Sequence, residues 1–90
     1  MASRKSVLFS SDCDKAADAI GGYIRIDKSL DAFWEGLHTN PYGFPMFESD
    51  WFSVRYIITK PMPGIPPLLW TFRISGDEVE MLHVEEHERY

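Results

Sequence analysis

Two arginines and two histidines carry the chemistry that this chain could perform. Arg55 and Arg73 lie in two apolar runs of the second half, and His83 and His87 follow near the C-terminus. A guanidinium group is a planar donor that fits two phosphate oxygens at once. Imidazole is the side chain whose ordinary pKa suits proton transfer near neutral pH. Such a set could hold a phosphate and move a proton beside it, which is what cleavage of RNA by its own 2′-hydroxyl requires.

Both arginines fall on predicted β-strands. In residues 51–59 the side chains alternate with a period of two, which is typical of a half-buried strand. The inward positions of this strand are predicted to be Phe52, Val54, Tyr56 and Ile58. In residues 68–74 the inward positions are predicted to be Leu68, Trp70, Phe72 and Ile74. These two phases place Arg55 and Arg73 together on the face opposite the core.

The third strand of the sheet, residues 78–84, follows a turn at residues 75–77. If Leu82 and Val84 face the core, His83 lies on the same face as the arginines, and a bulge would reverse this. Simpler roles exist for the same groups. His83 could be a surface residue that is hydrogen-bonded to Glu85. Each arginine could be solvated, or could pair with Glu80 or Asp77 across strands.

The first half of the chain supplies a short strand and two helices. Residues 7–9 form an apolar run that predicts an edge strand, and residues 10–12 predict a helix start capped by Ser11 or Asp12. The apolar side of the first helix is predicted to contain Cys13, Ala16, Ala17, Ile20 and Ile24. The second helix begins at Asp27 or Ser29, presents Leu30, Phe33, Trp34 and Leu37, and ends before Pro41. We therefore predict an α+β fold in which an N-terminal strand and two helices pack on one face of a small antiparallel sheet.

Composition limits the classes of protein to consider. The 90 residues predict one domain spanning 1–90, and the net charge of -5 argues against broad attraction to nucleic acid. Cys13 is the one cysteine, which predicts a buried thiol and a reducing, cytoplasmic location. We expect no membrane span, no metal site and no cofactor, because the chain shows no long apolar run and no spacing typical of metal ligands.

Taken together, the order of elements resembles the RelE/ParE superfamily of toxins from bacterial toxin–antitoxin systems. The residues that support the resemblance are the Leu37-x-x-Asn40-Pro41 turn, the Arg55-Tyr56 and Phe72-Arg73-Ile74 strands, and the ending His87-Glu-Arg-Tyr90. The resemblance implies a toxin that cleaves messenger RNA on the ribosome as an endoribonuclease, or that poisons DNA gyrase. It also implies an antitoxin protein as partner, whose peptide wraps the toxin.

Within that family, strand arginines hold phosphate and a late tyrosine or histidine lies near the scissile bond. The resemblance thus assigns Arg55 and Arg73 to phosphate, and Tyr90 or His87 to the late position. Negative charge departs from the family pattern, since Glu78, Glu80, Glu85, Glu86 and Glu88 stand where the family is usually basic. The alternative is a noncatalytic domain of the same fold that acts through protein contacts.

Aromatic residues that lie outside the apolar faces of the predicted helices and strands indicate contacts with another protein. Trp34 and Trp70 are predicted to be core residues because they lie on apolar faces. Trp51, Tyr42 and Phe44 are predicted to form an exposed patch, which in acidic surroundings favours a protein partner over stacked bases.

Overall fold

A four-stranded mixed sheet with helices on one face forms the structure. A computed structural model describes residues 4–47 and 54–87. The strands are β1 (Ser6–Phe9), β2 (Val54–Ile58), β3 (Leu68–Ser75) and β4 (Glu78–Glu86), and their order across the sheet is β1-β4-β3-β2. The predicted α+β class is confirmed.

The N-terminal strand corrects the prediction of a purely antiparallel sheet. β1 lies at the edge of the sheet as expected, but it runs parallel to β4, with Val7 beside Val79 and Phe9 beside Met81. The connection from β1 to β4 passes through all the helices and the two other strands. Such long connections are what parallel neighbours need.

The helical half begins with α1 (Ser11–Ala19), which is capped by Ser10 rather than by Ser11 or Asp12. The Ser10 hydroxyl accepts a hydrogen bond from the Cys13 N–H at 3.1 Å and donates one to the Leu82 carbonyl at 3.3 Å. The same side chain thus completes the first turn of α1 and attaches it to β4. Gly21 then follows with φ +109°, a conformation that ends the helix and that glycine adopts without strain.

The second predicted helix is divided into a 3-10 helix (Asp27–Phe33) and α3 (Trp34–Thr39). A separate short helix, α2 (Tyr23–Ile26), precedes them. Ser29 explains part of the difference, because its hydroxyl donates to the Ile26 carbonyl at 2.6 Å and accepts from the Trp70 indole at 3.3 Å. Ile24 was predicted to face the core and is instead 95% exposed, since the chain changes direction at the glycine pair.

One hydrophobic core joins the helices to the sheet. Its fully buried members include Cys13, Ala17, Ile26, Leu30, Leu37, Leu68, Trp70, Phe72, Val79 and Met81. The inward phase predicted for β3 and the burial of Cys13 are therefore confirmed. We call the sheet face that packs on this core the core face, and the other the open face.

Ser10→Ala is expected to lower the free energy of unfolding by about 1 kcal/mol, because the Cys13 N–H loses its cap. Urea denaturation followed by circular dichroism would measure the loss. Ser11→Ala is the matched control, since Ser11 is exposed and makes no cap bond in α1. Equal losses in the two variants would contradict the assignment of the cap to Ser10.

Candidate functional site

Arg55 lies on the core face of the sheet, which corrects the prediction that it faces solvent. It stands opposite Phe72, a fully buried residue of β3, and side chains directly opposite each other share a face. Its guanidinium donates to the Phe44 carbonyl at 2.7 Å and to the Tyr42 carbonyl at 3.1 Å. The group also lies over the Tyr42 ring, 5.5 Å from its centre. Arg55 therefore fastens the turn at residues 41–44 to β2.

Arg73 lies on the open face, as predicted. It stands opposite Val54 of β2 and opposite Glu80 of β4. Its Nε donates to the Glu80 carboxylate at 2.7 Å, so the cross-strand pair considered from the sequence is formed. The predicted meeting of Arg55 and Arg73 on one face is wrong, because the two guanidinium groups lie on opposite faces.

The reversed phase of β2 has a physical cause. Tyr56, Ile57 and Ile58 are apolar in succession, so either phase buries a large side chain. The structure buries Ile57 and Thr59 and leaves Val54, Tyr56 and Ile58 half-buried on the open face. Burial of Thr59 is compensated, because its hydroxyl accepts from the Leu68 N–H at 3.0 Å. Carbonyl groups of the turn likewise compensate for the burial of Arg55.

His83 lies on the open face and is exposed. Met81 pairs with Phe72 and His83 pairs with Thr71, so Leu82 is the extra residue of a bulge. Because Val79 and Met81 face the core, this bulge is what turns His83 outward and Val84 inward. The prediction that His83 faces away from the core is therefore confirmed, but it shares that face with Arg73 and not with Arg55, and the expected inward phase of Leu82 is not the cause.

His87, another predicted site residue, does not lie beside His83. His87 follows β4, is half-buried, and donates its main-chain N–H to the Pro67 carbonyl at 2.9 Å. It comes four positions after His83, which is about 13 Å along an extended chain. Tyr90, Trp51 and Phe52 lie outside the described residues, so their predicted roles stay predictions.

Sequence reasoning missed the most extensive feature of the open face, an apolar area at the β2 end. We call it the apolar half, and its members are Phe47, Val54, Tyr56, Ile58 and Leu69. Phe47 is 38% exposed, and its ring lies 4.7 Å from that of Tyr56. The sequence did contain a signal for this area, because β2 has apolar residues at both its odd and its even positions, so that its outward side is apolar as well. On β4 the same face carries Glu78, Glu80 and Glu85, which we call the acidic half.

The predicted exposed aromatic patch is only partly formed. Tyr42 is 58% exposed, with the Lys5 ammonium 5.7 Å from its ring centre. Phe44 instead packs inward against the rings of Phe33 and Phe72. Of the predicted core tryptophans, Trp70 is fully buried, and Trp34 is partly buried against the core.

Cys13 is poorly suited to act as a nucleophile. Burial raises the pKa of its thiol, the neighbouring Tyr23 hydroxyl acts in the opposite direction, and the Asp14 carboxylate raises the pKa further. Burial, followed by the hydrogen bond to Asp14, also raises the pKa of the Tyr23 hydroxyl. Both groups therefore stay protonated near neutral pH. Because the thiolate and not the thiol is the nucleophile, Cys13 is unreactive in this state.

Comparison with known proteins adds no family to this description, because neither a family model nor a curated sequence matches the chain. Among residues 4–47 and 54–87, no helix is long and apolar enough to cross a membrane. The same residues contain no group of three or more side chains placed to hold a metal ion.

Proposed function

We propose that this protein acts through contacts with another protein, made by the apolar half of its open face. The observation that carries the proposal is that no helix or strand among residues 4–47 and 54–87 lies over this half of the sheet. A sheet face rich in apolar side chains is normally covered by a second layer or by a partner. A cytoplasmic location is part of the proposal, as is the antitoxin-like partner that the resemblance implies.

Charge on the open face favours a protein over a nucleic acid. Glu78, Glu80 and Glu85 would repel phosphates, and the Arg73 guanidinium is already held by Glu80. Nucleic-acid binding requires an excess of cations at the contact. A partner with an apolar strip beside basic residues would complement both halves of this face.

Site-specific photo-crosslinking in the source cells tests the proposal. Benzoylphenylalanine in place of Tyr56 is expected to give a discrete protein adduct, because Tyr56 lies within the apolar half. The same amino acid in place of Lys15, an exposed residue of α1, is the control. The adduct should disappear when Leu69→Asp places a charge in the apolar half. Adducts that form equally from Lys15, or that survive Leu69→Asp, would contradict the proposal.

A toxin-like endoribonuclease is the second candidate function. One observation favours it, namely that Arg73 and His83 share the open face on neighbouring strands. Their diagonal positions put the two Cα atoms about 7–8 Å apart. Arg55 cannot assist them from the core face, so any phosphate would meet one guanidinium that is already paired.

Induced expression in bacteria separates the two functions. On the protein-contact account, any growth arrest survives Arg73→Ala and His83→Ala, because neither residue performs chemistry. Arrest accompanied by messenger RNA cleavage that both substitutions abolish would establish the second candidate instead. Arg55→Ala is not informative in this assay, because it also weakens the fold.

A further inference from the structure

A groove runs along the outer side of β2, between this edge strand and the 3-10 helix Asp27–Phe33. Its volume is about 370 Å³. The side chains of Ala32, Phe33, Ile58 and Met62 supply its apolar lining, and Lys28, Lys60 and Asp31 line it as well. The groove adjoins the apolar half of the open face, with which it shares Ile58, and it was not predicted from the sequence.

The backbone of β2 is only partly paired on the side of this groove. Residues 45–47 pair with the first part of the strand, through Phe47 N–H to the Val54 carbonyl and Tyr56 N–H to the Pro45 carbonyl. The main-chain N–H and C=O groups of the odd-numbered residues of β2 point toward β3, as the bond from the Thr59 N–H to the Leu68 carbonyl shows. The N–H and C=O of Ile58 therefore point outward, and no residue of 4–47 or 54–87 bonds to either of them.

The groove and the unpaired main-chain groups of Ile58 lie side by side, and together they suit the addition of a further strand. An extended segment that continued the ladder beyond Tyr56 would bond to the outward groups of Ile58. Alternate side chains of a strand point to opposite sides, so every second one would enter the groove beside Phe33. Unpaired strand edges are templates for such pairing unless charge, proline or a covering element blocks them.

Charge at the groove indicates the chemistry of the occupant. The chain has 14 acidic and 9 basic residues, yet two lysines and one aspartate line this groove. We propose that the groove and the adjacent edge of β2 bind an extended peptide that carries both apolar and acidic residues. The apolar residues fill the groove, and the acidic residues meet Lys28 and Lys60. This site goes beyond the proposed contact of the open face. The two share Ile58, but Lys28, Phe33 and Lys60 belong to the groove alone, so the lysine variant tests it separately.

Selection from a library of random displayed peptides, with the full chain as target, tests the site. Recovered peptides should be rich in both apolar and acidic residues. Their affinities for the wild-type protein and its variants are then measured by fluorescence anisotropy.

Ile58→Pro removes the outward N–H from an edge position where proline is tolerated, and it should weaken binding about tenfold or more. The double change Lys28→Glu and Lys60→Glu leaves the strand intact and should weaken binding to a similar extent. Leu8→Asp on β1, at the far edge of the sheet, should leave the affinity unchanged.

Several results would overturn this proposal. One is a failure to recover any peptide that binds the wild-type protein. Another is a set of basic peptides, or of peptides that bind the Ile58→Pro variant and the lysine variant as tightly as they bind the wild type. Self-association that Ile58→Pro abolishes, seen by sedimentation, would show that a second copy of the chain occupies the edge instead.

Discussion

Arg55→Ala is expected to lower the free energy of unfolding by about 2–3 kcal/mol, because it removes two hydrogen bonds from a charged donor. The carbonyls of Tyr42 and Phe44 would lose their donor, and the turn at residues 41–44 would lose its attachment to β2. Urea denaturation followed by circular dichroism measures the effect. Arg55→Lys should recover only part of the stability, because an ammonium group cannot reproduce the planar fork of the guanidinium.

Arg73→Ala is the matched control for this prediction, since it removes the same side chain from the opposite face. The Arg73–Glu80 pair is solvent-exposed, and such pairs contribute about 0–1 kcal/mol. The two arginines should therefore differ in their effect on stability by more than about 1 kcal/mol. Equal effects would mean that Arg55 does not anchor the turn.

Trp70→Ala is expected to have the largest effect of any single change considered, a loss of about 4 kcal/mol. The side chain is fully buried at the centre of the core, and its indole N–H donates to the Ser29 hydroxyl. Such a loss is a large part of the 5–15 kcal/mol that stabilises a typical domain. The variant should therefore unfold at much lower urea concentration than the wild type.

Leu69→Ala provides the comparison for Trp70→Ala from the adjacent position. Leu69 lies on the open face and is half-buried, so its loss should cost less than about 1 kcal/mol. If both substitutions destabilise the protein equally, the assignment of the core face on β3 is wrong.

Strands and helices whose large apolar residues fall on one face only were predictable from the sequence. In β3 every second residue from Leu68 to Ile74 is large and apolar, while Thr71 and Arg73 are polar, so only one orientation buries the apolar set. The end of α3 was equally clear, because Pro41 prevents helical geometry in the residue before it. Local chemistry decides both features, and the structure confirms them.

Features that depend on distant partners were not predictable. β2 has apolar residues in both phases, and the acceptors that allow Arg55 to face the core belong to the turn at residues 41–44. The parallel pairing of β1 with β4 depends on residues about 70 positions apart, and no local pattern encodes it. The groove beside β2 likewise forms from the 3-10 helix and the loop after β2, which approach each other only in the folded chain.

The phase of β2 is the central claim of this account, because it separates the two arginines and creates the apolar half of the open face. Thiol labelling of Tyr56→Cys and Ile57→Cys in the native protein tests it most directly, since the native Cys13 is buried and should not react. The account predicts rapid labelling at position 56, and labelling at position 57 only as fast as the protein unfolds. Rapid labelling at position 57 with protection at position 56 would contradict it, and would return Arg55 to the same face as Arg73.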